Sequence, residues 1–188
     1  MVYFAPDMVY KLLDKIVEID ETYVGGKFAN MNRGRRKKHQ EQSIDNKTAV
    51  MGLLQRDGNA RLTVIGSNTF KDVIRDNVKK DAMLMTDTHA SYQGLALEYA
   101  SHHTVNHSQM QFRDGLAYTN TVEGFFSSLK RSIFGIYHSV SPKHLQMYCE
   151  ETSYRYNTRK ITDKERFTQT MCNVEGRLKY KNLIKKNH

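Results

Sequence analysis

The chain has 188 residues, which is enough for one domain with a sizeable buried core, so folding requires no disulfide framework. Its 29 Lys and Arg against 20 Asp and Glu give a formal net charge of +9, which suits a polyanionic partner such as nucleic acid. Cys149 and Cys172 do not form a CxxC pair, which disfavours a cysteine-ligated zinc site and fits a reducing cytoplasm. No apolar stretch approaches the ~18 residues of a membrane span, and the N-terminus lacks a signal-peptide pattern, so we expect no membrane association.

The first half of the chain predicts four strands and one helix. The predicted strands, which are apolar and rich in β-branched residues, cover residues 15–23, 48–55, 60–67 and 82–85. The second and third are joined by the sequence RDGN at residues 56–59, which is typical of a hairpin turn. Residues 70–80 predict a helix in which Val73, Ile74 and Val78 share one face.

The second half predicts a helix, an edge strand and then helices alone. Residues 91–100 predict the helix, and residues 104–106 predict the short strand. The later helices are predicted over residues 121–137, over residues 142–157 with Pro142 at the first helical position, and from residue 163 onwards. Early strands followed by alternating strands and helices predict an α/β fold, in which a mixed sheet has helices on both sides.

Two aspartates lie at the C-terminal ends of short apolar runs. Alternation along the first strand puts Val17 and Ile19 on the core side, and Glu18 and Asp20 on the other side. Asp87 emerges beyond the strand that starts at residue 82, and ligand sites in open α/β sheets collect outside the carboxyl ends of strands. The alternatives are a surface aspartate at residue 20 and a helix N-cap at residue 87.

A polar stripe follows on the first of the later helices. Residues three, four and seven apart share a helix face, which groups Asn120, Glu123, Ser127 and Lys130. Apolar side chains surround this stripe: Val122, Phe125, Phe126 and Leu129. Glu123 can complete a carboxylate set with the two aspartates, Asn120 can offer an oxygen ligand and Lys130 can meet a phosphate. A solvated face of an amphipathic helix is the alternative.

A basic loop between the first two strands predicts contact with nucleic-acid phosphates. Its cations are Arg33, Arg35, Arg36, Lys37 and Lys38. We expect them, with Lys130 and Arg131, to bind the phosphate backbone without reading the sequence. The alternative is a solvated loop. His103 and His107 have the spacing of a helical zinc pair, but the stretch between them predicts a strand, which disfavours zinc.

Four segments together resemble the DDE-type transposases of bacterial insertion sequences, most closely the group with an ISXO-like transposase domain. They are VEIDETYVGGK, TDTHASYQGL, TVNHSQMQF and TNTVEGFFSSLKRSIFGIYHSVSPKHLQMYCEETSYRYNTR, and the resemblance covers about residues 15–160. It implies an RNase H-like fold with additional C-terminal helices. It also implies Mg²⁺ or Mn²⁺ in a two-metal site that cleaves and joins DNA strands by in-line attack on phosphodiesters.

The resemblance also implies roles for individual residues. Asp20 and Asp87 match the first two catalytic and metal-binding acids. Glu123 precedes Lys130 by seven residues, the usual glutamate-to-lysine spacing in such enzymes, and is our choice for the third acid. Some members of this group have asparagine in the third place, so Asn120 is the alternative, and otherwise a secondary ligand.

Relatives in this group generally carry a zinc ribbon and a helix-turn-helix ahead of the first aspartate, whereas 19 residues precede Asp20 here. We therefore expect an N-terminal remnant at residues 1–14, a catalytic domain at residues 15–160 and a helical extension at residues 161–188. The expected setting is the bacterial cytoplasm, at the nucleoid, with element ends and target DNA as partners and with self-association in a transposition complex. Two other hypotheses are a catalytically inactive, basic DNA-binding remnant and a stand-alone RNase H-like nuclease.

Overall fold

The computed structural model describes residues 11–25, 47–66, 69–105 and 119–172. Contacts divide the chain into two units. One comprises Leu12–Asn157, and the other comprises Met1–Lys11 together with Thr158–His188. In the described ranges, no helix is long and apolar enough to cross a membrane.

The described residues form five strands and four α-helices. The strands are β1 (Ile16–Val24), β2 (Thr48–Gln55), β3 (Ala60–Val64), β4 (Met83–Asp87) and β5 (Ser101–Val105). The helices are α1 (Phe70–Asn77), α2 (Asn120–Arg131), α3 (Leu145–Asn157) and, in the second unit, α4 (Asp163–Cys172). The shorter helical elements are 3-10 turns at Ala90–Tyr92, Leu95–Leu97 and Pro142–His144, and a π-helical segment at Ser132–Tyr137 that continues α2.

The strands form one mixed sheet in the order β3-β2-β1-β4-β5. The pairs β1–β2 and β2–β3 are antiparallel, whereas β1–β4 and β4–β5 are parallel. The short turn between β2 and β3 makes the hairpin that the sequence predicts. The α/β class is confirmed, and the five-stranded mixed sheet with flanking helices is an RNase H-like fold.

Both faces of the sheet are buried. On the first face, Val17 and Ile19 pack in a cluster that includes Val73 and Ile74 of α1. The second face has a separate cluster, in which β2 and β3 pack against α2 and α3 through Val50, Leu54, Leu62, Val122, Phe125, Phe126 and Leu145. The predicted core side of β1 is therefore confirmed, but the opposite side is covered by helices as well.

Helix α3 covers the outer edge of the sheet. Alternate backbone N–H groups of β3 donate to its polar side chains, from Val64 to Gln146 at 2.8 Å, from Leu62 to Ser153 at 3.0 Å and from Ala60 to Asn157 at 2.7 Å. The Asn157 amide also donates to the Ala60 carbonyl at 3.0 Å. An edge strand with unpaired backbone groups is a template for unwanted pairing, so α3 protects β3 from other chains.

The helix predicted over residues 91–100 is wrong. The segment forms two 3-10 turns, separated by Gly94 in a left-handed conformation with φ of 89°. Tyr92, Leu95 and Tyr99 are buried at intervals of three and four residues, which is the spacing of a helix face. Two turns joined by a glycine satisfy that spacing as well as a helix does.

Several predicted boundaries shift for tertiary reasons. The edge strand begins at Ser101 rather than residue 104, because it pairs with all of β4. Helix α1 ends at Asn77 rather than residue 80, since Val78 is extended and bridges Leu13. The helix predicted up to residue 137 is α-helical only to Arg131. Pro142 begins a 3-10 turn that leads into α3.

Candidate active site

Asp20 lies on the second face of the sheet. Alternation along β1 places Glu18 and Asp20 on the side of α2, opposite Val17 and Ile19. Asp20 is partly buried, and its Oδ1 accepts a hydrogen bond from the backbone N–H of Glu21 at 2.8 Å. This bond fixes one carboxylate oxygen at the strand.

Asp87 ends β4, the parallel neighbour of β1. The register pairs Glu18 with Met85, and two residues further along each strand lie Asp20 and Asp87. Equal steps from paired residues leave side chains level and on the same face. Asp87 Oδ1 accepts from the backbone N–H of His89 at 2.9 Å, which holds the carboxylate at the strand end. The two predicted aspartates therefore lie on adjacent strands, Asp87 at the end of β4 and Asp20 midway along β1, two residues beyond the last pair between β1 and β4.

Helix α2 presents the predicted polar stripe to solvent. The exposed residues are Asn120, Glu123, Ser127 and Lys130. The buried residues are Val122, Phe125, Phe126 and Leu129, so the predicted apolar face is confirmed. Glu123 lies in the first turn, whereas Lys130 and Arg131 lie in the last turn. The helix thus carries a carboxylate at one end and two exposed cations at the other.

Burial and the negative charges of surrounding carboxylates both affect the pKa of Asp20. Burial raises its pKa from 3.8 to about 7, against the lowering effect of the Glu21 N–H hydrogen bond. The negative charges of Glu21, Asp87 and Glu123 raise it further. Three sequence-distant acids therefore share one electrostatic environment, contributed by β1, β4 and α2.

The donor set is suited to a hard cation, although the side chains are not grouped as a closed site. Among the described residues, no three His, Cys, Asp or Glu side chains are placed so that they could hold a metal ion. Asp20, Asp87 and Glu123 offer oxygen ligands only, which Mg²⁺ and Mn²⁺ prefer. A divalent cation would also offset the burial and the neighbouring negative charges that raise the Asp20 pKa. Closure of the three to metal-bridging distance stays a prediction.

The residue that sequence reasoning missed is Glu18. Its side chain is fully buried and forms an ion pair with Arg56, with Nε and Oε1 2.8 Å apart. The same carboxylate accepts from the backbone N–H groups of Thr121 and Val122 at 3.1 and 3.2 Å. The pattern that could have identified it is a charged residue in a strand whose neighbours are all apolar, with a single arginine at the following hairpin.

Gly52 is the second feature missed from sequence. It pairs directly with Asp20 across β1 and β2. A Cβ at this position would lie 2.6 Å from the Phe126 ring and 2.7 Å from Val122 Cγ2. Side chains of helix α2 therefore contact the backbone of β2 directly beside Asp20, and only glycine permits this approach.

A cleft of about 280 Å³ opens beside Asp87. It is lined by Thr88, His89, Tyr92, Gln93, Gly94, His102 and Thr104.

The Tyr92 hydroxyl donates to the carboxylate of Glu21, and burial, followed by the charge of Glu21, raises the Tyr92 pKa. The phenol therefore stays protonated, and Glu21 has a fixed donor on the first face of the sheet.

His102 is held in one tautomer. The Thr86 hydroxyl donates to the Asp87 carbonyl at 2.7 Å and lies 2.8 Å from His102 Nε2. Because the hydroxyl has one hydrogen, Nε2 must carry the proton of the second bond. Burial and then the charge of His103 lower the His102 pKa, which favours the neutral ring.

Other predicted residues lie outside the described part of the chain. These are Arg33, Arg35, Arg36, Lys37 and Lys38 of the basic loop, together with His107. Their roles stay predictions from sequence.

Comparison with known proteins places this geometry in a family context. The ISXO2-like transposase domain matches residues 11–157. A Haemophilus influenzae protein described as an uncharacterized transposase-like protein is 31% identical over 97 residues, which cover 52% of this chain and 77% of that protein. Residues 11–157 include Asp20, Asp87 and all of α2.

Proposed function

The chain belongs to the ISXO2-like transposase domain family, and from that premise we propose that it cleaves and joins DNA strands with divalent metal ions. The observation that carries the proposal is the placement of Asp20 and Asp87 on adjacent strands of the matched domain, with α2 and its Glu123 packed on the Asp20 side of the sheet. Burial, and then the charges of Glu21, Asp87 and Glu123, raises the pKa of Asp20. Asp87 also lines an open cleft. Perturbed acids in a cleft are typical of functional sites.

In the proposed site, Asp20 and Asp87 would hold metal ions from adjacent strands, and Glu123 would complete the set from α2. Two bound ions would supply activation of the attacking oxygen and stabilisation of the leaving oxygen. The chain itself fixes Asp20 through the Glu21 N–H group and Asp87 through the His89 N–H group. The protein thus contributes positioning and electrostatics, which dominate catalysis of phosphoryl transfer.

The family makes DNA the expected partner, and the charge of +9 favours it. Lys130 and Arg131 offer exposed cations at the end of α2 remote from Glu123. They can hold DNA phosphates on the same helix that carries the third acid. The same proposal includes three further properties of the chain: it binds element ends and target DNA, it self-associates, and it lies at the bacterial nucleoid.

The test is metal-dependent nicking of supercoiled DNA. Asp20→Asn and Asp87→Asn should each lower the nicking rate by more than about 100-fold, since even outer-shell partners of metal sites typically cost about 10- to 100-fold. DNA affinity should be kept or increase, because negative charge near the phosphates is removed. Asp57→Asn is the matched control, since Asp57 is exposed in the β2–β3 turn and Asn tolerates its positive φ of 58°.

Full nicking by either variant with Mg²⁺ would show that the assigned acids are wrong. Metal-independent DNA binding without nicking by the wild type would instead favour a catalytically inactive, DNA-binding domain. Nicking without any joining of a DNA 3′ end to a target would favour a stand-alone nuclease.

A further inference from the structure

Glu18 is a buried charge that contacts two separate parts of the chain. Its Oε1 accepts from Arg56 Nε at 2.8 Å and from the Thr121 hydroxyl at 3.1 Å. Its Oε2 accepts from the backbone N–H groups of Thr121 and Val122 at 3.1 and 3.2 Å. All four bonds have a charged acceptor, the stronger kind of hydrogen bond.

The backbone donors belong to the first turn of α2. The first N–H groups of a helix have no partner inside the helix and are usually satisfied by the N-cap side chain. Thr119 occupies the N-cap position here and makes no side-chain cap hydrogen bond. The cap is supplied by Glu18 of β1, so the start of α2 is tied to the central strand of the sheet.

This tie lies between two proposed metal-binding acids. Asp20 follows Glu18 by two residues on the same face of β1, and Glu123 is the residue after Val122 in α2. We propose that Glu18 is a positioning residue, whose buried carboxylate sets the separation of Asp20 and Glu123 by fixing the first turn of α2 to β1. This inference rests on the proposed metal-dependent function.

The close approach at Gly52 sets the depth of the same helix. Gly52 lies opposite Asp20, and Phe126 and Val122 occupy the space of its missing side chain. Glu18 therefore fixes where α2 begins, and Gly52 fixes how near it comes to the sheet. Both act on the distance between the acids without contacting a metal ion.

The experiment compares four variants by two measurements. The first is the Mg²⁺ concentration that gives half-maximal nicking. The second is the Mg²⁺ concentration that gives half of the Mg²⁺-induced rise in melting temperature. Glu18→Met removes the acceptor, whereas Glu18→Gln keeps one oxygen for the two backbone N–H groups. Gly52→Ala displaces α2 with Glu18 intact. Ser153→Ala is the matched control, because Ser153 also ties a helix to a backbone N–H, that of Leu62, at the far edge of the sheet.

We expect Glu18→Met and Gly52→Ala to raise both half-saturating Mg²⁺ concentrations by about 10- to 100-fold, as outer-shell changes do. Glu18→Gln should raise them by less than about 10-fold, because it keeps an acceptor for the backbone N–H groups but loses the ion pair with Arg56. Ser153→Ala should lower the melting temperature in the absence of metal and leave both Mg²⁺ concentrations unchanged. A wild-type Mg²⁺ dependence in Glu18→Met would overturn the proposal. If that variant does not fold, unprotected Thr121 and Val122 amides in the wild type would overturn it.

Hydrogen exchange of the Thr121 and Val122 amides in metal-free protein separates this proposal from the proposed function. Both amides should be protected in the wild type and in Glu18→Gln, and should exchange faster in Glu18→Met, which removes their acceptor. Equal protection in Glu18→Met and wild type would overturn the tie. A wild type with protected amides and no metal-dependent nicking would overturn the proposed function and leave the tie supported.

Discussion

Asp20 combines burial with three neighbouring negative charges, and this combination makes stability depend on pH. Its pKa is raised from 3.8 in the unfolded chain to about 7 in the folded protein. A raised folded-state pKa contributes stability that is complete below pH 3.8 and is lost as pH rises through 7. The ionised carboxylate is therefore a destabilising feature of the metal-free protein at pH 8.

Asp20→Asn should remove this pH dependence, because an amide remains neutral throughout. In metal-free buffer, the free energy of unfolding of the variant relative to wild type should increase by about 2 kcal/mol between pH 5 and pH 8. Urea denaturation at both pH values with a chelator present measures the difference. Asp57→Asn supplies the control, and an equal gain in that variant would contradict the assignment to Asp20.

The choice between Glu123 and Asn120 as the third acid can be made with two substitutions. Both residues are exposed on the first turn of α2, but only Glu123 adds to the charge around Asp20. Glu123→Gln should lower Mg²⁺-dependent nicking by more than about 100-fold, as for the aspartates. Asn120→Ala should cost about tenfold or less. The reverse order of effects would make Asn120 the third ligand.

Helix α3 matters at the scale of elements because it is bonded to the edge of the sheet rather than only packed against it. Three of its polar side chains accept from alternate residues of β3. The alternation of a strand presents every second N–H outwards, so a helix alongside can satisfy them with side chains on one face. Residues 146, 153 and 157 are separated by seven and four, which keeps them on one face of α3.

Asn157→Ala should weaken this edge. It removes both bonds to Ala60, so one backbone N–H and one C=O lose their partners, which should lower the free energy of unfolding by about 1–3 kcal/mol. The freed edge should also increase self-association, which sedimentation velocity can measure. Arg155→Ala is the control, because its ion pair with Glu151 is exposed and contributes about 0.5 kcal/mol or less. An equal loss of unfolding free energy in both variants would contradict a stabilising role for the hydrogen bonds between α3 and β3.

Over the whole molecule, the excess of positive charge predicts salt-dependent DNA binding through phosphates. The logarithm of affinity should fall linearly with the logarithm of salt concentration, with a slope of about −0.9 per phosphate neutralised. Replacing Lys130 and Arg131 by Gln should make the slope less negative by up to about 1.8. Replacing the five basic-loop cations, which lie outside the described residues, should reduce it further. An unchanged slope in both variants would exclude these cations from the interface.

The same binding should discriminate weakly between sequences, since phosphate contacts position DNA without specifying its bases. A competition titration with an element-end duplex and a scrambled duplex at two salt concentrations measures the preference. A preference above about a thousandfold, the lower end of specific binding, would require a sequence reader that phosphate contacts do not provide.

The sequence by itself determined the alternation and periodicity that define most elements. Residues 48–55 are predicted and observed as β2, and the apolar face of α2 is the one predicted, because both patterns arise from local geometry. The α/β class follows from the order of those elements. The aspartates at residues 20 and 87 could be named because each follows an apolar run, although only Asp87 ends its strand.

Only the tertiary structure decided which residues meet. The segment 91–100 is not a single helix, because more than one backbone conformation can bury Tyr92, Leu95 and Tyr99. Glu18 could not be assigned as the cap of α2, because its donors lie 103 and 104 residues away in the chain. Gly52 gives no pattern of its own, and its role exists only where Phe126 rests against it. Periodicity encodes the secondary structure of a segment and which of its sides is apolar. Contacts between distant segments depend instead on strand order, register and helix depth. Those three properties are set by the packing of the whole unit.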